Sequence, residues 1–267
     1  MSKTALPAGT DAVWRALHQA ATEPYRQSGR FAWHFARGKL SRDPVFRGML
    51  QRGDLPAQAR VVDIGCGQGL LASLLQACAD AQAQGAWPAA WPEAASASTY
   101  TGIELMPRDV ARAQAAVGSL GLAPRFVCGD MCSAELPACD VVVILDVLHY
   151  VDHAAQDGVL GRVAAALLEG QQDGQQDGQR VGRPGRLLLR VGDADSRRGF
   201  VASQWVDRIV TGIRGHRVAP TWGRPLADWV AALQARGFRV RSVPMSQGTP
   251  FANVLLVADL APEKPVN

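Results

Sequence analysis

Apolar residues recur along the chain at two spacings, and the spacing changes from segment to segment. Residues 11–21 (DAVWRALHQAA) put Val13, Leu17 and Ala20/Ala21 on one helical stripe, with Thr10 as the N-cap. Residues 24–53 show no strand-like alternation. They are crowded with aromatics and cations (Tyr25, Arg30, Phe31, Trp33, His34, Phe35, Arg37, Lys39) and predict short helices and turns. A short apolar strand over 60–64 then runs into glycines, and a helix follows with Leu70, Leu71, Leu74, Leu75 and Cys78 at helical spacing. Residues 80–99 are Ala, Gln, Ser and Pro with two Trp-Pro pairs, which predicts a loop or insertion. Strands are predicted at 98–105, 124–128, 140–145 and 186–191, and helices at 109–118 and from Asp152 or His153 to about Leu168. The stretch 169–185 carries a tandem QQDG repeat and too few apolar groups to offset ordering, so a loop insertion is expected there. Helices at 200–213 and 225–236, the second ended by Gly237, precede two closing strands at 238–244 and 253–259.

Strand–helix alternation over 60–190 calls for a parallel sheet covered on both faces, hence an α/β fold. Two strands joined by a short loop at the end imply an antiparallel addition. The 267 residues are 48% hydrophobic and 19% charged, which excludes whole-chain disorder, collagen and coiled coil. No apolar run approaches the roughly 18 residues of a membrane span, and the N-terminus has no apolar signal-type core. Five cysteines in no paired framework, with Cys128, Cys132 and Cys139 lacking tight CxxC pairs, argue against disulfides and a zinc site and for a reducing, cytoplasmic setting. Net charge is +4, but residues 1–60 hold ten Lys/Arg against four Asp/Glu. A basic N-terminal segment on a near-neutral body points to an anionic partner or ligand beside that segment.

The chemistry-bearing signal is Asp63-Ile64-Gly65-Cys66-Gly67-Gln68-Gly69, set between a strand and an amphipathic helix. Glycines serve where a chain reverses sharply and admits a ligand against its backbone. The sixth position, counted from Gly65, is Leu70, so the GxGxxG pattern of a dinucleotide site fails. Three further features follow successive predicted strands: Glu104-Leu105, Gly129-Asp130-Met131 and Asp146-Val147-Leu148-His149-Tyr150. In open α/β sheets such carboxyl-end features share one crevice.

On these residues the chain resembles the class I S-adenosylmethionine (SAM)-dependent methyltransferases over roughly residues 58–260. The resemblance implies a Rossmann-like, doubly wound, mostly parallel seven-stranded sheet with an antiparallel C-terminal strand. It also implies an N-terminal helical lid over residues 1–57. It makes Asp63, Gly65, Cys66, Gly67, Glu104, Leu105, Asp130, Met131 and Asp146 the expected cofactor-binding residues. Glu104 would accept from the ribose hydroxyls, Asp130 from the adenine amino group, with Met131 on the ring, and Asp146 would line the methionyl end. Glu104 lies 41 residues after Asp63, about double the usual spacing of roughly 20, and an insertion over 80–99 would account for the excess.

His149 is the candidate base by position, with Tyr150 beside it. Tyr25, Arg30 and His34 are candidate substrate contacts; Arg30, His34 and Arg37 share a face if their segment is helical. Bland readings stay open: Asp63 and Asp130 as turn residues, Glu104 as a solvated acid, His149 as a helix cap, the lid cations as a solvated face. Motifs for adenine-amino, glutamine-amide or cytosine C5 methylation are missing after the fourth strand, and no nucleic-acid-binding module is visible. The reading is therefore methyl transfer to oxygen or carbon of a small acceptor, without metal, nucleic acid or membrane span. A weaker likeness of the lid wording (FAWHFARGKLSRDPVF) to methyltransferases of aryl polyene-type pigment biosynthesis implies an aromatic acceptor, possibly on an acyl carrier protein. The alternatives are a methyltransferase acting on protein or RNA, and a non-catalytic partner that retains a SAM pocket.

Overall fold

The computed structural model describes residues 8–176, 184–192, 221–245 and 253–260. The chain divides into two compact units, Met1–Gly129 and Asp130–Asn267. The strands form a seven-stranded sheet in the order β3-β2-β1-β4-β5-β7-β6.

The first unit begins with three helices, α1 (Ala8–Thr22), α2 (Arg30–Arg42) and α3 (Pro44–Arg52), with a 3-10 turn at Glu23–Ser28. Asp43 caps α3, accepting from the Val45 N–H at 3.1 Å, and Pro44 fills the first helical position. Three strands follow: β1 (Ala59–Ile64), β2 (Ala97–Glu104) and β3 (Arg125–Cys128). They pair in parallel, with Ile64 beside Ile103 and Glu104 beside Cys128. The crossovers are α4 (Leu70–Ala83) and α5 (Pro107–Val117), which pack on β2 and, for α5, on β3. Leu71, Leu74, Leu75 and Cys78 of α4 are buried, as their spacing predicted.

The N-terminal helices are stitched into this unit. Ser73 Oγ on α4 donates to Ala21 O at 2.7 Å, Gln27 Nε2 to Ala115 O at 2.8 Å and Ser28 Oγ to Arg112 O at 3.1 Å. The segment expected as a lid is thus bonded to α4 and α5 within the first unit. Thr10 lies inside α1 rather than capping it, because the helix starts two residues earlier, at Ala8.

The second unit carries β4 (Val141–Leu145) and β5 (Arg186–Gly192), parallel, then β6 (Phe238–Pro244) and β7 (Asn253–Leu260). β7 pairs antiparallel with both β5 and β6, the antiparallel closure read from the sequence. Val141 to Ile144 and Leu187 to Leu189 are fully buried, as continuous apolar runs in a covered sheet require. Arg186 and Asp259, opposite each other in register, form a two-point ion pair across β5 and β7. α6 (His153–Gln176) packs on β4 and β7, and α7 (Leu226–Gln234) on β6.

Two length expectations need correction. α4 continues to Ala83, and β2 begins at Ala97, so the loop between them is shorter than 80–99. α6 runs on through residues 169–176, where a loop was expected. Gln and Glu are good helix formers, and Gln171 Nε2 donates to Leu260 O at 3.4 Å. At Gly170 the helix passes so close to Cys139 that a Cβ would lie 1.9 Å from its carbonyl oxygen. The helix expected over 200–213 lies outside the described residues.

Candidate functional site

In the first unit the β1–α4 turn carries Gly65, Gly67 and Gly69, all in the left-handed region (φ 75°, 55° and 74°). Three such residues in five reverse the chain in a way L side chains resist. At Gly69 a Cβ would also strike the Phe126 ring at 2.7 Å, whereas a Cβ at Gly67 meets nothing within 4 Å. The turn is thus packed on one side and open on the other. It is tied to β2, since the Gly65 and Cys66 N–H groups both donate to Ile103 O (2.8 and 3.2 Å). Gly102 makes room for it: a Cβ there would sit 2.7 Å from Cys66 Sγ.

Glu104 ends β2 and bridges two backbone segments. Its Oε2 accepts from Gly67 N–H at 3.0 Å and its Oε1 from Met106 N–H at 2.9 Å. Each oxygen keeps a lone pair for a further donor, so the carboxylate is fixed yet not saturated. Leu105, next in sequence, is 59% exposed, an unusual placement for a leucine that follows a sheet strand. Gly129 N–H donates to Glu104 O at 3.0 Å, holding the residue before Asp130 to the end of β2.

Asp63 is buried, and its Oδ2 accepts from the Tyr100 hydroxyl at 2.5 Å. Burial pushes its carboxyl up to about 7; the Tyr100 hydrogen bond opposes this and the nearby Glu104 charge adds to it. Cys66 is buried too, and burial first, then Asp63 and Glu104, raises its thiol far above the ordinary range. It contributes backbone and small size, not a nucleophile.

Tyr25 corrects a sequence expectation. Its side chain is fully buried, and its hydroxyl donates to Gln68 O at 2.8 Å, so it props the glycine turn and is not presented to a substrate. Arg30 and His34 are exposed on α2, and that segment is helical as their shared face required. Arg26 and Arg37 both lie over the Trp33 ring, 4.3 and 4.9 Å from its centroid.

In the second unit Asp130 is exposed and nucleates a turn: its Oδ1 accepts from Cys132 N–H at 2.8 Å and its carbonyl from Ser133 and Ala134. The half-buried Met131 is held through its carbonyl, which, with that of Cys132, accepts from Arg162 on α6.

Asp146, just past β4, has φ 60°, a strained value for a non-glycine residue at a strand end. Its carboxylate is gripped by the buried Arg190 of β5, with Nε to Oδ1 at 2.7 Å and Nη2 to Oδ2. The structure thus pairs the carboxylate that was expected to line the methionyl end. Arg190 was missed, though a lone cation inside Leu-Leu-Leu-Arg-Val is a signal that a buried partner exists. His149 and Tyr150 share a 3-10 turn (Leu148–Tyr150), their rings 4.2 Å apart. Asp152 caps α6, accepting from Ala155 N–H at 2.8 Å.

Among the described residues no cluster of His, Cys, Asp or Glu is placed to hold a metal ion, and no helix is long and apolar enough to cross a membrane.

Comparison with known proteins gives this geometry its context. A structure of magnesium protoporphyrin IX methyltransferase from Synechocystis PCC 6803, with S-adenosylhomocysteine (SAH) bound, matches at TM-score 0.53 and 18% identity, covering 94% of this chain and all of that one. An O-methyltransferase family protein from Burkholderia thailandensis matches at TM-score 0.58 and 17% identity, covering 96% and 71%. The mitomycin 7-O-methyltransferase matches at TM-score 0.53 and 21% identity, covering 96% and 69%. At these identities the likeness is one of fold. No curated protein matches the sequence. The Methyltransferase domain family matches residues 32–172, more than half of the chain, and the chain belongs to that family.

Proposed function

We propose that this chain transfers the methyl group of SAM to an oxygen or carbon of a small acceptor. The observation that carries the reading is Glu104. Its carboxylate is locked by Gly67 and Met106 at the open side of a three-glycine turn, with accepting capacity left over.

The cofactor is S-adenosylmethionine, which when bound supplies an electrophilic methyl group for in-line transfer. The residues present suit it. Glu104 accepts from two ribose hydroxyls, and Leu105 offers an exposed apolar face to the adenine ring. Asp130, whose Oδ1 is engaged by its own turn, keeps Oδ2 for the adenine amino group, and Met131 covers the ring. Asp63, buried behind the turn, is a carboxyl that a nearby cation converts to carboxylate. Gly65, Cys66 and Gly67 supply backbone at close approach. Asp146, held by Arg190, lines the methionyl end and fixes the strand end from which His149 and Tyr150 follow. His149 accepts the acceptor's proton where an O–H must be lost, and Tyr150 walls the acceptor. Rate comes mainly from positioning.

Residues 1–57 act as a cap whose exposed Arg30 and His34 meet an anionic part of the acceptor. A carboxylated aromatic and a carrier-tethered acyl group both fit that charge. The test is incubation with methyl-labelled SAM and a mixture of phenols, aromatic acids, protein and RNA. Label in small products supports the reading; label in protein or RNA alone defeats it. SAM binding without turnover of any acceptor would mark a non-catalytic partner.

A further inference from the structure

The loop that leads into β4 is held at both ends by α6. Residues 130–140 lie outside any helix or strand. Late in the loop, Cys139 N–H donates to Ala166 O at 3.1 Å. Early in the loop, and one turn earlier on the helix, the Arg162 guanidinium forks: Nη2 donates to Met131 O and Nη1 to Cys132 O. Its Nε is enclosed and has no hydrogen-bond partner among the described residues. A guanidinium offers five N–H donors, and leaving one of them enclosed and unmet costs stability. α6 is already seated by the fully buried Val159, Leu160, Val163 and Leu167. A half-buried cation is a costly way to add one more contact, so the bonds that Arg162 does make call for a reason.

That reason lies in which peptide they meet. Met131 O and Cys132 N–H belong to one planar peptide unit. Its oxygen accepts from Arg162 Nη2, and its N–H donates to Asp130 Oδ1 at 2.8 Å. A cation and a carboxylate therefore sit at opposite ends of one amide dipole, and hydrogen bonds in such a chain strengthen one another. Asp130 is the exposed member of the chain. From this we infer that Arg162 is a positioning residue: through the Met131–Cys132 peptide it fixes the Asp130 carboxylate, and with it the selection of adenine over a purine that lacks the amino group. The inference rests on the reading in which Asp130 accepts from the adenine amino group, and it deepens that reading. Arg162 acts through the turn and not on the cofactor. Hypoxanthine has a carbonyl oxygen in place of the amino group and a hydrogen on N1. A carboxylate held by its own turn meets that oxygen and loses its donor. A carboxylate free to swing reaches the N1 hydrogen and tolerates the change.

The test uses the full-length chain and compares, by calorimetry, SAH with S-inosylhomocysteine, which differs only in carrying hypoxanthine for adenine. Wild type should prefer SAH about ten-fold or more. Arg162→Met weakens SAH, leaves S-inosylhomocysteine nearly unchanged, and so brings the preference down to about three-fold or less. Arg162→Lys keeps a cation but not the fork, and its preference falls between the two. It carries the test if circular dichroism shows Arg162→Met to be unfolded. In an Asp130→Asn background, Arg162→Lys makes no further change in the preference. A wild-type preference retained in both Arg162 variants, an equal loss of affinity for both ligands, or a further drop in the Asp130→Asn background would overturn the inference. A wild type that binds both ligands equally would instead strike Asp130 as the reader of adenine, and a wild type that binds neither would strike the cofactor site itself.

Discussion

Replacing Asp63 by asparagine should change how stability depends on pH. Asp63 is buried, and its carboxyl holds a proton up to about pH 7, against about 3.8 in a solvated chain. Between those values the folded chain carries a proton that the unfolded chain has released. Folding therefore becomes less favourable as pH rises through this window. With 1.36 kcal/mol per pKa unit, the loss between pH 5 and pH 8 comes to about 2–3 kcal/mol. The Asp63→Asn side chain keeps an oxygen to accept from Tyr100 and has no proton to lose. Urea denaturation of both proteins at pH 5 and pH 8, followed by circular dichroism, isolates the effect, since every other titrating group cancels in the difference. The Asp63→Asn variant should gain about 2–3 kcal/mol relative to wild type on going from pH 5 to pH 8. A difference that stays constant across that range would show that Asp63 is ionised throughout and that burial does not govern it.

Other perturbations test other parts of the site. Asp146→Asn leaves Arg190 buried without its charge partner and should cost about 3 kcal/mol in urea denaturation; adding Arg190→Met should recover a good part of it. Full additivity of the two changes would show that the pair is not coupled. Gly69→Ala forces a side chain into φ 74° and against Phe126 and should cost about 2 kcal/mol or more; an unchanged melting temperature would contradict the geometry. Glu104→Gln removes the charge and puts an NH2 donor against one of the two backbone N–H groups, Gly67 or Met106, that the carboxylate accepts from. It should weaken SAH binding by about 2 kcal/mol with a smaller effect on stability, and wild-type affinity by calorimetry would remove Glu104 from the site.

Much of this was legible in the sequence, for identifiable reasons. The glycine turn was, because left-handed backbone leaves a residue-type signature and its flanking strand and helix have clear periodicities. The position of Glu104 was, because a carboxylate at the carboxyl end of a strand in an open α/β sheet faces the crevice where ligands bind. What was hidden depends on contacts between segments distant in sequence. Tyr25 reads as one more aromatic in a basic stretch until its hydroxyl is found on Gln68. Asp146 reads as a ligand, and its pairing with Arg190, 44 residues on, shows only in the structure. The QQDG repeat misled because composition was weighed against packing, while a helix that is already formed and packed propagates at little cost even through Asp and Gly.

The central claim is that the open side of the glycine turn is where SAM binds, and calorimetry on wild type and Gly67→Asn tests it most directly. Asn tolerates left-handed backbone, and a Cβ at position 67 meets no protein atom within 4 Å, so the variant should keep its fold and its circular dichroism while filling the space the cofactor needs. One-to-one binding of SAH to wild type, weakened roughly ten-fold or more in Gly67→Asn, is the predicted result. A folded wild type that gives no heat with SAM or SAH, or a variant that binds as tightly as wild type, would contradict it.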